Sequence, residues 1–285
     1  NPKPQTPNPK PQTPNPEQMI SRVSRSFSVK VPKDFSQYRC KNIEQLMDKF
    51  FQLSLSSPQH KKVLVVKAAQ SVGSREELLF GRLDLELTEQ GIEQAQALGK
   101  QIASYTPRID NIYCSPMARS VDTVLAMLGQ PTVKRSPSDI PKMIKENLQN
   151  GSSQQKLIPH TIQKGIHVDP AFLEFSFGSL EGISIKGMRF AEQHLILQLF
   201  YRGKIERPDI ETPIAVVNRL SKGFARFPSS AANMLFTHNG VINILLAHLG
   251  FEGMFLPNCS SLLLELSPEG APLHLHSFYT VPHSK

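Results

Sequence analysis

The sequence has few cysteines and no long apolar run, and both shortages restrict what the protein can be. Its 285 residues include only Cys40, Cys114 and Cys259, too few and too scattered for a disulfide framework or a zinc site. We therefore expect reduced thiols and a cytoplasmic or nuclear protein. No stretch approaches the roughly 18 apolar residues of a membrane span, and no charged-then-apolar leader opens the sequence. We expect no membrane association, no metal site and no cofactor.

The net charge of +8 is concentrated in two parts of the chain. Residues 1–62 hold 11 Lys/Arg and 4 Asp/Glu, residues 131–167 hold 6 and 2, and the remainder holds 15 and 18. A nucleic-acid-binding fold would carry its basic charge on the folded body. The distribution therefore argues against a nucleic-acid partner. A basic tail that contacts acidic partners is the alternative to one that is merely solvated.

The chain opens with NPKPQTP twice and then NP. A repeat this rich in proline cannot build a core, so we expect an extended linker. Pro4–Pro7 and Pro11–Pro14 have PxxP spacing, which makes an SH3-type reader a candidate partner beside the plain spacer. We assign residues 1–40 to a Pro-rich, basic, disordered tail and residues 41–285 to one domain. The domain carries an insertion at about 130–166, where Pro, Ser and Gln accumulate.

Strand and helix patterns alternate along the domain. The apolar spacing predicts strands at 63–66, 109–115, 233–238, 260–267 and 273–279. It predicts helices at 42–55, 87–105, 117–128, 187–202, 213–227 and 240–250. Asn42 and Thr88 are candidate caps of the first two helices. Strands alternating with helices indicate an α/β fold with a doubly wound, mostly parallel sheet flanked by helices.

Polar side chains follow several predicted strands, where sheets of this kind place their ligand sites. Lys67 ends the first strand, Arg119 lies in the first turn of a helix, and His238 stands at another strand-to-helix junction. Helix N-termini attract anions, because their N–H groups are free and their dipole end is positive. Glu174 adds a carboxylate beside an aromatic loop punctuated by glycine. The pattern predicts a phosphate pocket with an acid at its rim.

Five blocks resemble, in order, the motifs of the histidine phosphatase superfamily, which is also called phosphoglycerate mutase-like. The first is Lys67-Ala68-Ala69-Gln70, where that family has Arg-His-Gly-Glu/Gln. The others are GRLDLELTEQGIEQA at 81–95, Ser115–Arg119 followed by Thr123, Glu174–Gly182, and His238-Asn239-Gly240 for the family's His-Gly-Gly. The resemblance covers about residues 61–280 and implies the fold of that family.

The resemblance also implies roles for single residues. In the family, the first-block His accepts the phosphoryl group, two Arg and the second His hold the phosphate, and a Glu protonates the leaving group. Here Ala68 stands at the nucleophile position, and its methyl group has no lone pair, so the nucleophile is absent. Glu174 matches the acid, in preference to Glu181, and His238 matches the second His. The implied phosphate-binding residues are Lys67, Arg119, His238 and Ser74.

Three hypotheses follow for the function. The leading one is a pseudo-phosphatase, which keeps the fold to bind a phosphorylated ligand or a partner protein. The second is a weak phosphatase that uses another nucleophile, for which Ser71 is the nearest candidate. The third is a purely structural or dimerising domain, with a homodimer as the assembly. The retained Arg119 and His238 favour phosphate recognition over pure structure, and Ala68 favours binding over catalysis.

Overall fold

The computed structural model describes residues 35–56, 60–132, 166–251 and 256–281. The predictions for the proline-rich repeat and for most of the insertion lie outside these residues. Within the described part, six strands form one sheet in the order β4-β3-β6-β1-β7-β8, and β2 pairs with β5 in a separate small ladder. The first four strands of the large sheet are parallel, and β7 and β8 are each antiparallel to their inner neighbour. The predicted doubly wound, mostly parallel α/β sheet is confirmed.

Five strands of the described residues, β1, β3, β6, β7 and β8, match the predicted apolar runs, whereas β2, β4 and β5 were not predicted. Their bounds are β1 Lys61–Lys67, β2 Leu78–Leu79, β3 Asn111–Cys114, β4 Ile166–Val168, β5 Ile183–Ser184, β6 Asn233–Thr237, β7 Ser261–Leu266 and β8 Pro272–Tyr279. The central β1 is buried on both faces, with Val63 and Val65 in one apolar cluster and Leu64 and Val66 in the other. Burial on both faces explains why β1 reads as a continuous apolar run and does not alternate.

The helices cover both faces of this sheet. Their bounds are α1 Ile43–Ser56, α2 Val72–Arg75, α3 Glu89–Ile102, α4 Ala118–Met127, α5 Phe190–Tyr201, α6 Pro213–Ala225 and α7 Asn239–His248. Both predicted caps are confirmed. The Asn42 side chain accepts from Gln45 N at 3.0 Å and the Thr88 side chain accepts from Gly91 N at 3.0 Å. None of the helices in the described ranges is long and apolar enough to cross a membrane.

The structure corrects the sequence analysis at residues 35–40, which were assigned to the disordered tail. Cys40 N donates to Phe278 O at 2.8 Å, and Arg39 forms a parallel bridge with Phe278 at the edge of β8. The Tyr38 ring meets the Phe251 ring edge-on at 5.2 Å between centroids. These residues therefore belong to the folded domain. Three aromatic or apolar residues within a polar stretch gave too little periodicity to predict this.

Gly91 allows α3 to approach the loop after β1, and it supplies a test of that packing. A Cβ at this position would lie 2.0 Å from the carbonyl oxygen of Gln70. Gly91→Ala is expected to lower the free energy of unfolding by about 2–3 kcal/mol, because backbone atoms must shift to admit the methyl group. Ala97→Gly on the exposed face of the same helix is the control and should cost about 1 kcal/mol. Urea titrations measure both values, and a smaller loss for Gly91→Ala than for the control would contradict the prediction.

Candidate functional site

The segment Lys67–Gln70, which begins at the last residue of β1, has all of its backbone N–H groups bonded. Lys67 N donates to Ser260 O at 2.9 Å and Ala68 N donates to Thr237 O at 2.8 Å. Ala69 N donates to Thr123 Oγ1 at 3.0 Å and Gln70 N donates to Gln94 Oε1 at 3.1 Å. The methyl groups of both alanines are buried. Because these amides are satisfied, any anion bound near this segment must be held by side chains or by other loops.

Arg119 and His238 are brought together beneath the loop of residues 81–83. Arg119 is 2% exposed, and its Nε donates to His238 Nδ1 at 3.2 Å. Its two terminal nitrogens donate to backbone oxygens, Nη1 to Leu83 at 2.9 Å and Nη2 to Gly81 at 2.7 Å. The predicted pair is thus present. The guanidinium is fixed by backbone oxygens as well as by the histidine, which leaves only two of its five N–H bonds for a ligand.

The contact with Arg119 decides which nitrogen of His238 carries the proton. An arginine only donates, so His238 Nδ1 must accept. Burial, and next the charges of Arg119 and Arg219, lower the pKa of His238 well below its ordinary value, so the ring is neutral. The single proton therefore lies on Nε2. That nitrogen is buried and has no hydrogen-bond partner among the described residues, so it is a donor that awaits an acceptor.

Glu174 lies at the N-terminus of α7, the helix that His238 directly precedes. Its carboxylate accepts from the backbone of Phe175 at 2.8 Å, of Gly240 at 3.2 Å and of Val241 at 3.1 Å. A Cβ on Gly240 would come within 2.6 Å of the carboxylate, so glycine is needed there. Burial raises the pKa of Glu174, and the Arg119 charge and these three bonds oppose the rise. The protein's own carboxylate thus fills the anion site of this helix.

Lys67 is half-buried at the end of β1, and its ammonium donates to Leu256 O at 2.6 Å. Burial lowers the pKa of Lys67 to about 8, while the negative charge of Glu174 acts in the opposite direction. The carboxylate of Glu174 is therefore within electrostatic range of both Lys67 and Arg119. Two cations, Lys67 and Arg119, and one anion, Glu174, therefore lie near one another at the carboxyl end of the sheet.

The remaining candidates take local roles. Ser74 lies in α2, where its hydroxyl donates to Ser71 O at 2.8 Å and accepts from Ser71 N at 2.9 Å. Its hydroxyl is engaged with its own helix start, and its assignment to phosphate binding stays a prediction. Glu181 accepts from Arg82 N, Phe177 N and Ser176 Oγ, each at 3.1 Å. These bonds tie residues 176 and 177 to residue 82, so Glu181 is a carboxylate that stabilises the loop.

Four residues around the site had no role in the sequence analysis. Asp84, inside the quoted 81–95 block, accepts from Ala118 N at 2.7 Å and so caps α4 beside Arg119. Glu211 binds Arg82 at 3.1 Å and Arg219 at 2.8 Å. Both arginines also donate to Glu174 O at 3.3 Å. Arg82 and Asp84 both lie in the quoted block, whereas Glu211 and Arg219 come from a segment more than 100 residues away, and no sequence pattern pointed to them.

In the described part of the chain, no group of three or more His, Cys, Asp or Glu side chains could hold a metal ion. The three cysteines are buried and unpaired.

A family comparison matches the model of the histidine phosphatase superfamily (branch 1) over residues 63–138 and 155–277. The two matched segments include every residue of the site just described, from Lys67 through Arg119 and Glu174 to His238. They omit the tail and part of the predicted insertion.

The solved structures that match the chain share little sequence with it. YhfR from Bacillus stearothermophilus is 18% identical, with a TM-score of 0.52 over 76% of this chain and 96% of that one. Mycobacterial hydrolase 1 is 16% identical, with a TM-score of 0.51 over the same shares. Phosphoglycerate mutase from Thermus thermophilus is 20% identical, with a TM-score of 0.48 over 75% of this chain and 97% of that one. At these identities, the first two structures indicate a shared fold.

Proposed function

The chain belongs to the histidine phosphatase superfamily, and we propose that it is a catalytically silent member that binds phosphorylated ligands. The observation that carries the proposal is the buried and protonated Nε2 of His238, which has no hydrogen-bond partner among the described residues. A buried donor without an acceptor costs about 1–3 kcal/mol unless a ligand satisfies it. A phosphate oxygen at this nitrogen would remove that cost.

The absence of a nucleophile argues against phosphatase activity. Ala68, at the nucleophile position, has no lone pair. His238 does not replace it, since its Nδ1 lone pair is taken by Arg119 and its Nε2 carries the proton. Ser71 is 1% exposed and its hydroxyl accepts from Ser74 N at 3.4 Å. Ser71 thus serves as a helix cap, and no hydrogen bond between its hydroxyl and a base is present among the described residues.

The charges favour an anion, but only modestly. Lys67 and Arg119 contribute two positive charges, and the carboxylate of Glu174 balances one of them. A bound phosphate would gain a few charge-assisted hydrogen bonds of about 1.5–3 kcal/mol each. It would also pay for ordering and for desolvation. We therefore expect dissociation constants for a free anion in the sub-millimolar to millimolar range.

Calorimetric titration with sulfate, phosphate and a phosphotyrosine peptide tests the proposal. The unmodified protein should bind each, and His238→Ala should weaken binding at least 10-fold because the free donor is lost. His248→Ala is the matched control: it removes an exposed histidine at the other end of α7 and should leave the affinity unchanged. No binding by the unmodified protein, or equal binding by both variants, would contradict this proposal and favour a purely structural role for the domain.

Nuclear magnetic resonance of the unmodified protein provides a second readout that does not depend on a variant folding. With ¹⁵N-labelled histidine, sulfate should shift the Nε2 resonance of His238, whose buried ring is bonded to Arg119. A spectrum in which sulfate leaves that resonance in place would also contradict the proposal.

A further inference from the structure

The two side chains that would hold an anion are closed off from solvent. Arg119 and His238 are each 2% exposed. A phosphate or sulfate ion must shed water and touch both side chains in order to be bound, so it cannot reach them while they are covered. Some part of the surrounding structure must therefore move when a ligand enters.

The turn of residues 80–83 covers Arg119 directly. It is closed by a hydrogen bond from Leu83 N to Phe80 O at 2.6 Å. The carbonyl oxygens of Gly81 and Leu83 accept from the Arg119 guanidinium at 2.7 Å and 2.9 Å. The Phe80 ring centroid lies 4.9 Å from Arg119 Cζ. The turn therefore occupies N–H groups of the guanidinium that a phosphate would use.

The turn packs into a small apolar cluster that is separate from the two large ones. Only Val72, Leu83 and Leu85 are buried in it among the described residues, whereas the clusters on the two faces of the sheet are far larger. A segment with few buried apolar contacts opens at low cost. Gly81 has a φ of +39°, in the left-handed region that favours glycine, and it can absorb the rotation of the backbone at one end of the turn.

The Arg82 side chain ties the turn to the rest of the domain. Its Nη2 lies 3.1 Å from Glu211 Oε1, and its Nε donates to Glu174 O at 3.3 Å. Glu211 also pairs with Arg219 at 2.8 Å, so that carboxylate keeps a partner when the Arg82 side chain is removed. Loss of this side chain should therefore loosen the turn without leaving a carboxylate unpaired.

We propose that the turn of residues 80–83 is a lid that keeps the anion site closed, and that a phosphorylated ligand binds by displacing it. This inference rests on the proposed anion site. When the lid opens, ligand oxygens accept the N–H bonds of Arg119 that the carbonyls of Gly81 and Leu83 accept when it is closed. Lid closure and ligand binding thus exclude one another. The measured dissociation constant is then the intrinsic constant divided by the open fraction.

Arg82→Ala should tighten the binding of sulfate, measured by calorimetry, by about 3- to 10-fold, because loss of a partly exposed ion pair raises the open fraction by about that factor. Removal of a positive charge would by itself weaken anion binding, so the direction of the change separates the lid from simple electrostatics. Arg207→Ala is the matched control. Arg207 also forms a 3.1 Å ion pair, with Asp209, and its side chain is 29% exposed against 22% for Arg82. Its loss should leave the affinity unchanged.

Trypsin cleavage of the unmodified protein gives a readout that does not depend on a variant. The bond after Arg82 is protected in the closed state, because the Arg82 side chain is paired and Leu83 is 2% exposed. Arg189, whose side chain is 84% exposed, reports the activity of the protease in each buffer. Sulfate should raise the ratio of cleavage at Arg82 to cleavage at Arg189 at least 3-fold over sodium chloride of equal ionic strength, as measured by peptide mass spectrometry.

The outcomes separate the lid from the function on which it rests. If the unmodified protein and both variants bind sulfate equally, or if Arg82→Ala binds it more weakly, the lid is overturned and the anion site stands. An unchanged cleavage ratio at a sulfate concentration that saturates the unmodified protein overturns the lid as well. If neither the unmodified protein nor Arg82→Ala binds sulfate, the proposed function itself fails, and the lid fails with it.

Discussion

Hydrolysis of 4-nitrophenyl phosphate by the unmodified protein is expected to be no faster than by its His238→Ala variant. The methyl group of Ala68 cannot attack phosphorus, and neither ring nitrogen of His238 offers a lone pair, since Nδ1 accepts from Arg119 and Nε2 carries the proton. Loss of a nucleophile that acts within a unit typically lowers the rate by about 10³–10⁶, which takes turnover to the assay background. Absorbance of released nitrophenolate at several protein concentrations measures it. Turnover that scales with protein and disappears in His238→Ala would contradict the prediction.

Restoring the nucleophile tests the same point in the opposite direction. The variant with Lys67→Arg, Ala68→His and Ala69→Gly returns the first block to the pattern of the family that the chain resembles. We expect turnover to rise at least 10-fold, since Arg119, Glu174 and His238 are in place around that position. The control carries Gln at position 68 with the other two changes and should stay at background. An equal rise in both variants would show that the new activity does not depend on an imidazole at position 68.

Arg119→Ala is expected to cause a large loss of stability as well as of anion binding. The change leaves two buried backbone oxygens and His238 Nδ1 without their donor. It also removes the buried cation that opposes the raised pKa of Glu174. Breaking a buried charged network in this way costs about 3–5 kcal/mol. Urea titration should show this drop in the free energy of unfolding, and sulfate binding should fall below detection.

Arg75→Ala is the matched control for this prediction. Arg75 forms an exposed pair with its neighbour Glu76, with both side chains more than 40% exposed. Such a pair contributes about 0–1 kcal/mol, and its loss should leave sulfate binding intact. If Arg119→Ala lowers stability by no more than the control does, the buried network is not what holds residues 81–83 over α4.

The sequence predicted the sheet because its strands are buried on both faces and flanked by helices with caps. The apolar run of β1 and the caps at Asn42 and Thr88 are local features, and local features survive in a sequence pattern. β2, β4 and β5 were missed because each has only two or three residues, which is too short for a period to appear. Residues 35–40 were misassigned because their partners, Phe251 and Phe278, are more than 200 positions away.

The sequence by itself determined which groups are available at the site: a methyl at position 68, two cations, one carboxylate and one histidine. The tertiary structure decided how those groups are used. It pairs Arg119 with His238, and that contact fixes the proton on Nε2. It seats Glu174 on the amides of Gly240 and Val241, and it buries Lys67 far enough to lower its pKa to about 8. Proton positions and pKa values depend on distances and on burial among segments remote in the chain, and these quantities exist only once the chain has folded.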